Sequence, residues 1–338
     1  MKLYNVAILG ATGVVGQQML TCLEECQFPI NDLKLLASAR SAGKQMEFAG
    51  KTYTIEEATD EAFEGVDIVL GAAENNIAKR FFPAAREKGC VIVDNSSAYR
   101  LDPDVPLIIP EVNGEDIANH NGIIANPNCA TIIGLVAVNP LHKLGNINRM
   151  VVSTYQAASG AGIGGLRELE AQLKQLANGE EVDDPRAFAY QLAYNLIPQI
   201  GGFDEVGYTS EEMKMQNEGR KILHAPELRV NCTCVRVPVL RSHSESITLE
   251  FDRPVSVEDA REVLATAPGV KLVDDPATQQ YPMPLDTTDQ DLVYVGRIRQ
   301  DISAPEGVNS LTLWCCGDQI RKGAATNAVQ IAQLLVEE

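Results

Sequence analysis

Short apolar runs alternate with amphipathic stretches along the first third of the chain. The predicted strands are 5–9, 33–37, 66–72 and 91–94, and the predicted helices are 14–25 and 77–88. Strands and helices that alternate in this way are typical of a parallel sheet with helices on its faces. We therefore predict an α/β fold that begins with a doubly wound parallel sheet.

The pattern changes beyond about residue 131. Longer runs follow, in which strand-like alternation covers residues 150–158, 232–239, 246–251, 292–299 and 311–316. These lengths indicate a mostly antiparallel sheet with helices on one face, an α+β arrangement. The last segment, 321–338, has apolar residues at helical spacing, and we expect it to pack on the first domain. We therefore predict two domains, one formed by residues 1–130 together with 321–338 and the other by residues 131–320.

Composition narrows the classes of protein and partner. The longest apolar runs, such as Ile132 to Val138, are far shorter than the roughly 20 residues of a membrane span, so we expect a soluble cytoplasmic protein. The net charge of −18 argues against nucleic acid or an anionic membrane as partner, and an anionic substrate would need a local basic cluster. The eight cysteines lack a paired zinc spacing, so we expect reduced thiols and no metal site.

A glycine-rich turn joins the first predicted strand to the first predicted helix. Its residues are Gly10, Ala11, Thr12, Gly13, Val14, Val15 and Gly16. Glycines three apart at a helix start let backbone amides approach a pyrophosphate, as in a Rossmann-type dinucleotide site. The alternative is a tight turn without a ligand, and the position of this one at the start of the alternating pattern favours the cofactor.

The residues that follow the next predicted strand indicate which dinucleotide binds. An NAD site usually has Asp or Glu at this point, whereas this chain has Ser38, Arg40 and Ser41. A hydroxyl and a guanidinium suit the 2′-phosphate of NADP. A second glycine-rich stretch, 160–165, also matches the fingerprint, but only polar residues 178–185 follow its helix. We interpret that stretch as a flexible loop.

One cysteine and one histidine are candidates for covalent catalysis. Cys129 falls in the first turn of a predicted helix that Asn128 can cap, and a helix N-terminus lowers the pKa of a thiol. A cysteine at such a place is more often a buried small residue, so the rest of the sequence must decide between a structural and a catalytic role. His243, between two predicted strands, could act as acid and base if the fold brings it to Cys129. His120, His142 and His224 fit surface or capping roles better.

Five motifs together resemble the aspartate-semialdehyde dehydrogenase family, in order along essentially the whole chain. They are GATGVVG at 10–16, DNSSAYR at 94–100, IPEVN at 109–113, NPNCAT at 126–131 and RKGAA at 321–325. The resemblance implies NADPH-dependent reduction of L-aspartyl 4-phosphate to L-aspartate 4-semialdehyde, in the biosynthesis of diaminopimelate, lysine, threonine and methionine. It also implies a homodimer or homotetramer, in which residues 131–320 form the catalytic and dimerisation domain.

The same resemblance implies a role for each matching residue. Cys129 is the nucleophile that forms a thioester, His243 the acid and base, and Gln156 the amide beside the thioester. The substrate-binding residues are Arg236 for the α-carboxylate, Arg100 and Lys214 for the phosphate, and Glu211 for the ammonium group, with Glu212 as the alternative. Ser159 and Gly160 are expected near the nicotinamide, and Gln319 stands where relatives commonly have an asparagine that contacts the cofactor.

Two rival functions and one departure from the family pattern stay open at this stage. Another acyl-phosphate reductase, of the N-acetylglutamyl-phosphate or glyceraldehyde-3-phosphate type, would share the cysteine and histidine but differ in its substrate contacts. A non-catalytic NADP-binding sensor would keep the fold without the chemistry. Glu74 stands where many relatives have a small residue next to the cofactor, which leaves its effect on cofactor binding open.

Overall fold

The structure is a computed structural model that describes residues 2–336. Met1, Glu337 and Glu338, which the predicted first domain includes, lie outside the described residues. The chain divides into two compact units. The first contains the described residues up to Asn128 together with those from Ala324 onward, and the second spans Cys129–Gly323.

Strands and helices occupy most of both units. The strands are β1 (Tyr4–Leu9), β2 (Ile30–Ala37), β3 (Gln45–Phe48), β4 (Lys51–Glu57), β5 (Ile68–Gly71), β6 (Val91–Asp94), β7 (Ile123–Ala125), β8 (Ile147–Gln156), β9 (Arg229–Arg236), β10 (His243–Phe251), β11 (Val270–Leu272), β12 (Val293–Gln300) and β13 (Asn309–Gly317). The helices are α1 (Val14–Glu25), α2 (Asn75–Glu87), α3 (Pro110–Asn113), α4 (Cys129–Gly145), α5 (Gly162–Ala177), α6 (Ser210–Ile222), α7 (Val257–Ala265), α8 (Pro284–Thr287) and α9 (Thr326–Val336).

The first unit is built on one sheet with the strand order β3-β4-β2-β1-β5-β6-β7. Every pairing in it is parallel except the β3–β4 hairpin at the edge. The central strands are apolar runs because a parallel sheet is covered on both faces. The predicted Rossmann-type sheet is confirmed. The hairpin and β7 are absent from the sequence prediction.

The C-terminal helix completes the core of the first unit. Ala325, Ala328 and Ile331 are fully buried in one apolar cluster with residues of β1, β2 and α1. From Ala324 onward the C-terminal segment thus belongs to the first unit, and a π-helical turn over Arg321–Ala325 precedes the α-helix.

The second unit has a sheet with the order β11-β12-β13-β10-β8-β9. Strand β10 pairs antiparallel with β13 and β8, and β12 pairs antiparallel with β13. The pairs β8–β9 and β11–β12 are parallel. Helix α4, an almost wholly buried helix, covers one face of this sheet together with α6 and α7. The predicted α+β arrangement is confirmed.

The second glycine-rich stretch is not the flexible loop that the sequence suggested. Residues Ala158–Ala161 form a 3₁₀ turn, and α5 begins at Gly162. A side chain at Gly165 would put its Cβ 2.4 Å from the backbone oxygen of Ala158, so the glycine lets the turn pack on its own helix. The strand parallel to β8 is β9, which the chain reaches only through both α5 and α6.

We expect Ile331→Ala to lower the free energy of unfolding by about 2–5 kcal/mol, because it leaves a cavity in the core of the first unit. Ile302→Ala is the matched control, since Ile302 is 99% exposed and its loss should cost at most about 0.5 kcal/mol. Urea unfolding of both variants measures the difference. Equal midpoints would mean that α9 is not part of the core.

Candidate active site

Strand register brings three of the predicted site residues side by side. Gln156 pairs with Arg236 across β8 and β9. The β8–β10 register, in which Ser244 pairs with Tyr155, places His243 next to Gln156. All three side chains are buried, with exposures of 0% for His243, 1% for Gln156 and 7% for Arg236. We call His243, Gln156 and Arg236 the catalytic row.

His243 is the first residue of β10 rather than part of a connection between strands, as the sequence had suggested. Its Nδ1 accepts a hydrogen bond of 3.1 Å from the backbone N–H of Ala157, so the neutral ring carries its proton on Nε2. Burial, and then the positive charge of Arg236, lower the pKa of His243 to about 3, while Glu211 opposes the shift. At neutral pH the ring is therefore uncharged and offers an N–H at Nε2.

Arg236 is held at the end of β9 by the backbone. Its guanidinium donates a 2.7 Å hydrogen bond to the carbonyl oxygen of Ala157. Burial lowers its pKa, and Cys129 and Glu211 lie close enough to oppose that shift. A Cβ at Gly160 would lie 2.7 Å from this guanidinium and 3.2 Å from the His243 ring, so only glycine fits between the two.

The two neighbouring carboxylates on α6 have different surroundings. Glu211 accepts a hydrogen bond from Gln156 at 3.2 Å and forms an ion pair of 2.8 Å with Lys214. Glu212 instead accepts from two backbone N–H groups, those of Thr209 and Cys234, and closes the capping box of the helix. The structure thus brings Glu211 to the catalytic row and places Glu212 in a structural contact.

Cys129 is the first residue of α4. The backbone N–H groups of a first helical turn lack partners within the helix and stabilise a nearby negative charge. The thiol is partly exposed, in contrast to the buried Cys232, Cys234, Cys315 and Cys316. A Cβ at Gly323 would lie 3.0 Å from the Cys129 Cβ. The glycine of the RKGAA motif therefore stands where the chain passes closely beside Cys129. Sequence reasoning had given Gly323 no role.

Gln319 joins two backbone segments next to His243. Its side-chain oxygen accepts from the N–H of Ser242 at 2.8 Å, and its amide donates to Ser159. Ser242 has a left-handed backbone with φ of +74°, which is unusual for a residue other than glycine. This strained residue directly before His243 is a feature that no sequence signal disclosed.

Arg100 belongs to the first unit and is buried there. Its guanidinium donates to the carbonyl oxygens of Asn126 at 2.9 Å and Asn95 at 2.8 Å. Asn126 lies three residues before Cys129 in the chain, so this contact fixes the segment that leads into α4. The pairing of Arg100 with Lys214 at a phosphate stays a prediction.

The first unit contains a cavity of about 370 Å³ at the carboxyl ends of its parallel strands. Gly10, Thr12 and Ser38 line it, together with Ala73 and Glu57. Gly10 has φ of +91°, and a Cβ there would lie 2.5 Å from the carbonyl oxygen of Ala72. A ligand at this end of an open α/β sheet is the general expectation, and the missing Cβ leaves backbone accessible to it.

The other predicted cofactor residues of the first unit are not among those that line this cavity. Gly13 precedes α1 as its N-cap, and Val14, Val15 and Gly16 form its first turn. Arg40 is exposed in the turn after β2, and Ser41 donates its backbone N–H to the Ser38 carbonyl oxygen at 2.8 Å. Glu74 is the exposed N-cap of α2 and is not among the lining residues. Glu57, at the end of β4, was missed because the strand itself was not predicted.

No helix within residues 2–336 is long and apolar enough to cross a membrane. In the same part of the chain, no group of three or more His, Cys, Asp or Glu side chains could hold a metal ion.

Comparison with known proteins gives concordant results. A family model for the semialdehyde dehydrogenase NAD binding domain matches residues 5–120, and a model for the semialdehyde dehydrogenase dimerisation domain matches residues 138–322. The aspartate-semialdehyde dehydrogenase of Synechocystis sp. is 53% identical, over 98% of this chain and 97% of its own. That of Bacillus subtilis is 48% identical, over 98% and 97%.

The likeness extends to solved structures. A crystal structure of aspartate semialdehyde dehydrogenase II from Vibrio cholerae, complexed with ASA, superposes with a TM-score of 0.96 at 44% identity. The match covers 100% of this chain and 99% of that one. The resemblance that the five sequence motifs carried is confirmed, and the chain belongs to the aspartate-semialdehyde dehydrogenase family.

Proposed function

We propose that this protein is an oxidoreductase that reduces L-aspartyl 4-phosphate to L-aspartate 4-semialdehyde with NADPH and releases phosphate. Membership of the family gives the reaction class. The single observation that carries the assignment to this chain is the catalytic row, in which an uncharged histidine, an amide and a buried arginine lie side by side with Glu211.

Cys129 performs the first bond change. Its thiolate, favoured by the start of α4 and by the nearby guanidinium of Arg236, attacks the acyl carbon, so that a C–S bond forms as the bond to the phosphate oxygen breaks. Lys214 and Arg100 hold the departing phosphate. Gln156 orients the carbonyl of the resulting thioester without adding a charge.

NADPH, when bound, supplies the hydride that reduces the thioester carbon. The cavity beside Gly10 suits its phosphates and ribose, since backbone is accessible there at the carboxyl ends of the parallel strands. Ser159, Gly160 and Gln319 would hold its nicotinamide, as the resemblance implies. As the hemithioacetal oxyanion collapses to the aldehyde, the C–S bond breaks with its electrons on sulfur, and the Nε2–H of the neutral His243 donates a hydrogen bond to the departing thiolate.

Substrate recognition rests on paired charges. The fork of donors on Arg236 binds the substrate α-carboxylate, and Glu211 meets the ammonium group. These contacts distinguish aspartyl phosphate from N-acetylglutamyl phosphate, which has no free ammonium group, and from a glyceraldehyde-3-phosphate type of substrate. A sensor without activity would have no use for Glu211 and Arg236 beside a partly exposed thiol.

We also propose the roles of the two domains. Residues 1–130 with 321–338 bind NADP, and residues 131–320 carry catalysis and the contact between subunits. The match of residues 138–322 to a dimerisation domain supports a homo-oligomer, either a homodimer or a homotetramer. A cytoplasmic location stays a prediction of the sequence.

Cys129→Ala should lower phosphate-dependent reduction of NADP with aspartate semialdehyde by at least about 1,000-fold, because no other group can form the thioester. The assay follows NADPH absorbance. Cys26→Ala is the matched control, since Cys26 is exposed and should be dispensable. Activity with glyceraldehyde 3-phosphate instead, or NADPH binding without any turnover, would contradict the proposed reaction.

Glu211→Ala and Glu212→Ala should separate substrate binding from stability. We expect Glu211→Ala to raise KM for aspartate semialdehyde about 10-fold or more, because the ammonium loses its counter-charge. Glu212→Ala should leave KM unchanged but lower the free energy of unfolding by about 1–3 kcal/mol, since two backbone N–H groups lose their acceptor. The reverse pattern would assign the ammonium to Glu212.

Arg40→Ala should raise KM for NADP about 10-fold and leave KM for NAD within about 2-fold, because only NADP has a 2′-phosphate for the guanidinium. Lys44→Ala removes an exposed positive charge from the same turn and serves as control. An equal rise for both cofactors would show that Arg40 does not select between them.

A further inference from the structure

A second row of side chains lies directly below the catalytic row, on the same face of the sheet. Register pairs Cys315 with Glu245, Glu245 with Thr154, and Thr154 with Cys234 across β13, β10, β8 and β9. Side chains two residues apart in a strand point to the same face. Glu245 therefore lies below His243 and Thr154 below Gln156, and we call these four residues the lower row.

Glu245 has none of the partners that a buried carboxylate normally has. Its side chain is 0% exposed, and neither carboxyl oxygen has a hydrogen-bond partner. The hydroxyl of Thr154, directly opposite in register, is also without a partner. Burying an ionised carboxylate without a cation or donors is very costly, whereas a neutral carboxylic acid needs only one acceptor for its proton.

Thiols and a second carboxyl group surround Glu245. The ionisable groups that interact with it are the thiols of Cys232, Cys234 and Cys315, and the carboxylate of Glu211 on α6. Toward α4 the backbone itself is close, since a Cβ at Gly134 would lie 2.7 Å from Glu245 Oε2. Burial first, and then Cys234 and Glu211, raise the pKa of Glu245 well above its usual range.

We propose that Glu245 is an uncharged carboxylic acid in the working enzyme and acts as a positioning residue for the catalytic row. Residues directly opposite in antiparallel strands have Cβ atoms about 4.5–5.5 Å apart, so Glu245 on β10 is a direct neighbour of Thr154 on β8. The buried, uncharged side chain fills the space immediately below His243 and Gln156 and keeps these two residues in place.

The uncharged state has a second consequence, which rests on the proposed function. A negative charge on Glu245 would raise the pKa of Glu211, the carboxylate that meets the substrate ammonium, because like charges disfavour each other's ionised form. A neutral Glu245 thus fills the space below the catalytic row and leaves Glu211 as a carboxylate.

Infrared difference spectroscopy tests the protonation state without any substrate. The spectrum of the wild type minus that of Glu245→Gln at neutral pH should contain the C=O stretching band of a protonated carboxylic acid. Carboxylate bands alone in the difference spectrum would overturn the proposal. This result stands whether or not the protein reduces aspartyl phosphate, so it is separate from the test of the proposed function.

Kinetics tests the positioning role. Glu245→Gln keeps the shape without a charge, so kcat and KM should stay within about 2-fold of the wild type, whereas Glu245→Ala should lower kcat about 10-fold or more as His243 and Gln156 shift. Glu250→Gln and Glu250→Ala are the matched controls, because Glu250 lies at the far end of the same strand, where it pairs with Arg149. Neither control should change kcat or KM. Wild-type kcat in Glu245→Ala, or equal losses in both Glu245 variants, would overturn the positioning role.

Discussion

The pairing register of β8, β9 and β10 is the constraint on which the site depends. Gln156 and Arg236 share a face only because they are direct partners, and a slip of one residue would turn either side chain to the opposite face. Apolar rows farther along the same strands hold the register. Val152 pairs with Ile247, and Ile247 with Leu313, and all three are buried under the helices. A polar site can occupy one end of this sheet because the same face beyond the lower row is an ordinary hydrophobic core.

Charge in the site is compensated locally, although the chain as a whole carries −18. Glu211 is matched by Lys214 and by the amide of Gln156. His243 is kept neutral, since its pKa lies near 3, so it does not compete with Arg236 for the same anion. Among the three residues of the catalytic row, the positive charge is therefore that of Arg236.

Sequence predicted the parts of the fold that local patterns encode. The buried strands of the parallel sheet are visible as apolar runs, and the bounds of α1 agree with its helical spacing. The β3–β4 hairpin was missed because its strands are half polar and lie at the sheet edge. The stretch 160–165 was interpreted as a loop because glycine is a poor helix former, whereas α5 begins at Gly162 and Gly165 allows it to pack closely on the preceding turn. The family resemblance supplied the site residues, but the register that juxtaposes them is a long-range property.

The adjacent carboxylates of α6 illustrate why a residue type alone does not define a role. Successive residues of a helix point about 100° apart, so Glu211 and Glu212 cannot serve the same neighbour. Thr209 decides between them, because its capping box requires a carboxylate three residues later, which is Glu212. The cap thus fixes the start and the rotation of the helix, and the rotation in turn aims Glu211 at Gln156. A local helix-capping signal, present in the sequence, determines which of the two carboxylates contacts the catalytic row.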